Sequence, residues 1–394
     1  MKHLFLFMSE ESEHTLQEND VVLVYSDELK QEVDAVVLGF RKSNKEAYIH
    51  YIKQDKRLDH WIDVSKLKYN PDGQGKLEEH ILSRFQRNQI EDSDSEDELQ
   101  TKEYILFEKL HGEVTKIRNI DTITLGKYTI KTWYFSPYPH PFYNMDHFYI
   151  CEHCFSYFAT KEQLDKHIQE TNEKTPPGKE IYREGNISIY ELKGWRQKIP
   201  CQCLCLLSKL FLDHKTLTYD VDGFVFYVLC ECDDDGAHVA AYYSRETASQ
   251  NNILACITTL PPYQKKGYGR ILISLSYEIA KRQFKVGGPE RPLSDLGRKA
   301  YRAYWHDTIL ETLRDHRDEI KSVENLSTLT SIQNDDVIIA LKQIGLAVKV
   351  KGEYELNITR NALNNALKNF DASKCRNKIN PQFLIWLPGD DDQH

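Results

Sequence analysis

The sequence predicts an α+β protein: a small all-β unit first, then an acidic linker, then a larger region of strands and helices. Three stretches carry that expectation. Residues 20–69 hold short β-favouring runs separated by polar turns. Residues 91–98 read Glu-Asp-Ser-Asp-Ser-Glu-Asp-Glu, a run of one sign too dense to pack. Ile253 to Leu260 is an apolar run halted by Pro261 and Pro262. Gln264-x-x-Gly267-x-Gly269 then opens a segment with Leu272, Leu275 and Ile279 at helical spacing.

The chain has 394 residues, room for two or three domains of ~100–200 residues each. With 40% hydrophobic and 28% charged residues it has the composition of a globular protein with a core. A net charge of −9 excludes a surface that attracts nucleic acid everywhere and suits a basic partner such as a lysine-rich tail. The apolar run near the start is too short for a signal peptide and lacks a small-residue cleavage site. No run of ~18 apolar residues exists, so no membrane partner is expected. The nine cysteines are odd in number and crowd at 201, 203 and 205 and at 230 and 232, which suggests free thiols in a reducing compartment.

Taken in order, residues 1–19 are polar and expected to be disordered. Strands follow at DVVLVY, EVDAVVLGFR, EAYIHYIK and HWIDVSKL, carrying Tyr25, Tyr48, Tyr51 and Trp61. Those aromatics either fill a small core or hold a methylated lysine by cation–π attraction, while basic loops could hold nucleic acid. Ser93 and Ser95 sit in the acidic run, either as phosphorylation sites or as plain solvated linker. β patterning resumes over 104–150. Cys151-x-x-Cys154 with His167 after a further twelve residues is three-quarters of a Cys-Cys-His-Cys zinc finger, with FSYFATKEQLDKH as the helix carrying the histidine. A strand pair should turn at Gly185-Asn186, and CLCLLSKLFLDHK should be a helix using Leu204, Leu207 and Phe211. FVFYVLCECD, HVAAYYSRE and NILACITTL read as three consecutive strands. Beyond Trp305, two or three helices and the hairpin AVKVKGEYELNIT have the pattern of a winged helix, read here as structural.

A strand, a glycine turn and a helix start gather backbone N–H groups into a concave nest with the positive end of the helix dipole behind it. That suits a pyrophosphate, with Lys265, Lys266 and Arg270 adding positive charge; the bland alternative is an ordinary strand-to-helix turn. The turn lacks the third glycine of the dinucleotide fingerprint and the Gly-Lys-Ser/Thr end of a P-loop. Its form is the one acetyltransferases use for acetyl-CoA.

The run from Ile253 to Trp305, with ACITTLPPYQKKGYGR and GGPERPLSDLGRKAYRAYW, strongly resembles the MYST histone acetyltransferases. The likeness extends through PPGKEIYREGNISIYEL, LCLLSKLFLDHKTLTYDVDGFVFYVL and LTSIQNDDVI, roughly residues 100–388. The front phrase YIHYIKQDKRLDHWIDVSKL is similar to the chromo-barrel of the males-absent-on-the-first (MOF) type. The resemblance implies a chromo-barrel (tudor-knot-like) domain over 18–72 and an acidic linker over 73–103. It implies an acetyltransferase domain over 104–388 with a GNAT-like mixed-sheet core, a zinc-finger-like module at 149–172 and a winged-helix-like end.

It further implies transfer of acetyl from acetyl-CoA to a histone lysine, histone 4 foremost, in the nucleus, within a chromatin complex and in the service of transcription. The alternative is a reader or scaffold that keeps the fold and has lost the activity. Glu290 corresponds to the catalytic glutamate, with Gly288 where the family has serine. Cys256 corresponds to the active-site cysteine, either an acyl acceptor or a packing residue beside the thioester in direct transfer, the route favoured here. Ile257, Thr258 and Thr259 would polarise the thioester carbonyl. Gln264, Lys265, Lys266, Gly267, Tyr268, Gly269 and Arg270 would hold the cofactor. Ser294 is a further cofactor contact or a helix N-cap. Lys215 occupies the place of an autoacetylated lysine. Zinc would sit on Cys151, Cys154 and His167. Where the family has its last cysteine, four residues after the histidine, this chain has Thr171, so Glu170, Glu173 or water would complete the site, or the module is kept by packing alone.

Overall fold

The computed structural model describes residues 15–73, 117–317, 319–350, 353–368, 370 and 377–388. The acidic run with Ser93 and Ser95, most of the polar start and the patterning over 104–116 lie outside the described residues. The chain divides into two compact units, Met1–Ile120 with Thr132–Ser136, and Asp121–Lys131 with Pro137–His394.

In the first unit β1 (Val21–Ser26), β2 (Gln31–Arg41), β3 (Glu46–Tyr51), β4 (His60–Asp63) and β5 (Lys68–Tyr69) form one antiparallel sheet, in the order β4-β3-β2-β1-β5. Its core is Val22, Val24, Ala35, Val37, Ala47, Ile49, Tyr51 and Leu67, the alternate positions that a period of two sends to one face. Fully burying such a side chain contributes roughly 1.5–3 kcal/mol.

The second unit opens with β6 (Thr122–Leu125), β7 (Tyr128–Lys131), β8 (His147–Ile150) and β9 (Tyr157–Phe158), ordered β7-β6-β8-β9. Helix α1 (Lys161–Thr171) follows, started by a capping box between Thr160 and Gln163. FSYF is therefore strand and turn, and the helix begins only at the cap.

The central sheet is β10 (Lys179–Glu184), β11 (Ile187–Lys193), β12 (Phe224–Cys232), β13 (Ala237–Glu246) and β15 (Cys256–Thr259), antiparallel throughout in the order β10-β11-β12-β13-β15. The β10–β11 pair turns at Gly185-Asn186 as read, with Gly185 at φ 58°. NILACITTL is two strands rather than one. β14 (Asn252–Leu254) pairs in parallel with β16 (Gly288–Pro289), and after Ala255 the chain joins β13 as β15.

Helix α2 (Lys198–Lys209) ends earlier than expected because Lys209 Nζ turns onto the carbonyls of Leu212 and Asp213, at 3.1 and 2.5 Å. That leaves Lys215 in a loop. The remaining elements are α3 (Tyr268–Arg282), α4 (Asp295–Asp315), α5 (Val323–Thr330), α6 (Asn334–Gln343), the hairpin β17 (Ala347–Val350) and β18 (Glu353–Leu356), and α7 (Arg360–Leu367). Among the described residues no helix is long and apolar enough to cross a membrane.

Candidate active site

The turn after β15 is built as an anion cradle. Pro261–Tyr263 form a single tight helical turn, and Gln264 Nε2 donates to Thr259 O at 3.0 Å, tying the turn to the strand end. Lys265 and Gly267 take left-handed backbone, φ 65° and 90°, and α3 starts without a side-chain cap. A helix start leaves its first N–H groups without intrahelical partners. Among the described residues no protein acceptor takes the N–H groups of Lys265 through Gly269. A Cβ on Gly267 would strike the side chain of Asn377, whereas one on Gly269 would meet only Thr259 Oγ1 at 3.9 Å. The space in front of Gly269 is therefore open to a ligand.

The cationic side chains are less free than the sequence suggests. Lys266 Nζ is held by Glu231 at 2.6 Å, Arg270 Nη2 by Asp307 at 2.6 Å, and the Tyr268 hydroxyl also donates to Glu231. Their charges are paired within the protein, whereas the backbone amides from Lys265 to Gly269 have no acceptor among the described residues.

Cys256 opens β15, opposite Ser244 and two register steps from the Tyr242–Thr258 pair. Alternation puts Cys256, Thr258, Tyr242 and Ser244 on one face. The Tyr242 hydroxyl lies 3.6 Å from Cys256 Sγ and donates to Ser208 Oγ at 2.7 Å. Lys215 is buried, with Nζ 3.7 Å from Cys256 Sγ and 5.7 Å from the Tyr242 ring centre. Burial works against its ammonium, while the interactions with Cys256, Tyr242 and Cys205 raise its pKa on balance.

Glu290 reaches this neighbourhood through the parallel strand pair. Its N–H donates to Leu254 O at 2.8 Å, two residues ahead of Cys256, and its carboxylate is exposed at the rim. Partial desolvation, then the like charge of Glu246, raise its pKa; Lys215 opposes them. A carboxyl raised this way is a stronger base once ionised. Ser294 caps α4, its Oγ accepting from Gly297 N at 3.1 Å, so the N-cap role is realised in full.

In the zinc-finger-like module, one ligand atom each from Cys151, Cys154 and His167 lie within 4.8 Å of one another, and Cys154 Sγ is 3.2 Å from His167 Nε2. A hydrogen bond from Cys151 lowers the pKa of the Cys154 thiol and raises that of Cys151. The donor set fits Zn²⁺. Thr171 Oγ1 is turned back onto His167 O at 3.0 Å, and so makes no fourth ligand.

The sequence profile of the MOZ/SAS family matches residues 175–384, that of the MYST family zinc finger domain residues 117–170, and one described as an RNA binding activity-knot of a chromodomain residues 18–69. The chain belongs to the MYST family of histone acetyltransferases. It is 42% identical over 351 residues to the putative MYST-like histone acetyltransferase 1 of Oryza sativa, covering 87% of this chain and 77% of the relative. It is 42% identical over 355 residues to histone acetyltransferase of the MYST family 2 of Arabidopsis thaliana, covering 88% and 79%. To histone acetyltransferase MOF of Drosophila melanogaster it is 37% identical over 354 residues, covering 88% of this chain and 40% of that one. This MYST chain is thus a lysine acetyltransferase using acetyl-CoA, with a zinc-finger module and a tudor-knot front, and the inactive-scaffold alternative finds no support among its relatives.

Sequence reading missed Tyr242, Ser208 and Glu246. The strand pattern of HVAAYYSRE carried Tyr242, but only the register opposite β15 selects it over Tyr243, which faces the other way and stacks on Tyr227 at 4.6 Å. In the first unit Tyr48 and Tyr51 are core residues and Trp61 is covered by Arg41 at 4.5 Å, leaving Tyr25 the exposed member of the four.

Proposed function

We propose that this MYST enzyme acetylates lysines of histone tails, histone 4 foremost, by direct attack in a ternary complex with Glu290 as general base. A free lysine has a pKa of ~10.4, so only about one in a thousand or fewer is neutral at pH 7. The amine nitrogen bonds the thioester carbonyl carbon, its proton passes to Glu290, and the carbon–sulfur bond breaks to release CoA thiolate. The pyrophosphate of acetyl-CoA lies against the amides of Lys265 to Gly269, with Gln264, Lys266, Tyr268, Arg270 and Ser294 around it. The N–H groups of Ile257 and Thr259, turned away from β13, face the developing oxyanion, while that of Thr258 falls on the side of β13. The observation that carries this reading is the bond from Glu290 N to Leu254 O at 2.8 Å, which brings a base of raised pKa to the start of the cysteine-bearing strand.

Cys256 serves as packing beside the thioester. Its neighbours are an ammonium and a phenol that stays protonated, because burial raises Tyr242 well above its usual range; neither is a base that would activate the thiol. Lys215, lying against it, is the residue for autoacetylation. Neutralising it removes the charge that holds the Glu290 pKa down, and so strengthens the base.

Zn²⁺ on Cys151, Cys154 and His167 holds the module together, with Glu170, Glu173 or water as the fourth donor. Domain limits of 18–72 and 104–388, nuclear residence and chromatin-complex membership complete the reading. For the tudor-knot front we favour RNA over methyl-lysine, since two of the four aromatic faces are spent in the core and a third is covered by an arginine. Incubation with labelled acetyl-CoA and core histones tests the central reading: label should enter histone, and Glu290→Gln should abolish it while acetyl-CoA still binds. Full incorporation by Glu290→Gln would overturn it.

A further inference from the structure

The loop that carries Glu290 is gripped from two sides. On one side Gly288 N donates to Asn251 O at 3.0 Å and Glu290 N to Leu254 O at 2.8 Å, the parallel pairing already described. On the other side the turn into α6 takes hold: Gly287 N donates to Ser331 O at 3.0 Å, and Gln333 N donates back to Gly287 O at 3.1 Å. A Cβ on Gly288 would stand 2.8 Å from Gln333 and 2.9 Å from Asp336 Oδ2, so the loop backbone lies directly on these two side chains.

Asp336 closes the grip. It is 0% exposed, and Arg291, the residue after Glu290, donates from Nη2 to its Oδ1. Its Oδ2, with the Gln333 side chain alongside, has no hydrogen-bond partner among the described residues. A buried carboxylate needs a strong reason to stay, because burial disfavours its charge and only pairing offsets that. Here the cation that holds it stands on the loop of the general base, more than forty residues away in sequence.

We propose that Asp336 is a positioning residue for the acetyl transfer: through Arg291 and the Gly287–Gly288 backbone, the C-terminal helical segment fixes where the Glu290 carboxylate stands. It touches neither acetyl-CoA nor the substrate amine and acts only through that loop. The inference rests on Glu290 being the base, and the experiment separates the two.

Asp336→Asn, Arg291→Gln, Arg291→Lys and Glu290→Gln are compared in the full-length enzyme by steady-state acetylation of a histone peptide and by acetyl-CoA binding. Loss of orientation at a reacting group costs about ten- to a hundredfold in rate. Asp336→Asn and Arg291→Gln should both lower kcat by about that factor with acetyl-CoA affinity unchanged, since the pyrophosphate turn is separate from this loop. Arg291→Lys keeps the ion pair and should recover most of the rate. In a Glu290→Gln background Asp336→Asn should cost nothing further, because residues acting as a unit are not additive. If Glu290→Gln is inactive while Asp336→Asn and Arg291→Gln keep the wild-type kcat, the clamp is wrong and the base stands. If Glu290→Gln keeps full activity, the base itself is wrong. If Arg291→Lys is as slow as Arg291→Gln, the ion pair does not do the positioning. Arg291 is half-exposed, so its variants test the clamp even should Asp336→Asn fold poorly.

Discussion

The tudor-knot unit and the acetyltransferase site both present tyrosines, lysines and arginines, but they use them in opposite ways. In the first, the polar and aromatic groups are taken up by one another: Tyr48 packs edge-on against Trp61, Arg41 lies over Trp61 and pairs with Glu46, and His50 pairs with the buried Asp59. In the second, a row of backbone amides from Lys265 to Gly269 finds no acceptor among the described residues, and Glu290 stands at the rim with a raised pKa. A folded chain satisfies its buried polar groups almost everywhere. Groups left over, gathered in one place, mark where a ligand belongs.

The largest expected effect is on the base. Glu290→Gln should lower kcat roughly 10²–10⁴-fold. In the wild type, activity should fall as pH drops through the raised Glu290 pKa. Lys215→Gln should move that acid limb to higher pH by removing the opposing charge, which a pH–rate profile reads directly. Next comes the amide row. Gly269→Glu directs a carboxylate into the open space before the nest and should weaken acetyl-CoA by about a hundredfold, measured by calorimetry, with the melting temperature nearly unchanged. Unaltered affinity would mean that the unspent amides are not the cofactor site.

The comparison sharpens at Asp336, whose pKa burial raises to about 6 against the opposing charge of Arg291 and the Gln333 side chain, with Asp335 adding to the rise. A carboxyl whose folded pKa lies above its unfolded value contributes stability that is full below the unfolded value and is lost as pH rises through 6. From this group alone, unfolding free energy should fall by about 3 kcal/mol between pH 3.8 and pH 7. Urea titrations of the wild type and Asp336→Asn across that window should diverge by about this amount, with the variant gaining on the wild type as pH rises. A smaller effect is expected at the metal. Thr171→Cys supplies a third thiolate as the fourth ligand and should tighten zinc at least about tenfold in a chelator competition. The smallest lies in the first unit, where Tyr25→Ala removes an exposed ring that packs on little and should change stability by less than about 0.5 kcal/mol.

Much of this was legible in residue order. The proline stop, the Gly267 and Gly269 spacing and the Leu272, Leu275, Ile279 stripe are local signals, and the β15-turn-α3 unit follows from them. The capping box between Thr160 and Gln163 is equally local, and it places the helix start after the FSYF stretch that the spacing assigned to the helix. Tyr242, Glu246 and Asp336 were not legible, since each matters only through a partner far along the chain: Cys256, Glu290 and Arg291.

Residue order by itself determined most of the strands, the turn after β15 and the clustering of Cys151, Cys154 and His167, because alternation and turn chemistry act over a few residues. The tertiary structure alone decided which carboxylate faces which lysine, that Lys266 and Arg270 spend their charge on Glu231 and Asp307, and that α6 grips the Glu290 loop. Sheet register and long-range packing set those distances, and neither is written in any single stretch of the sequence.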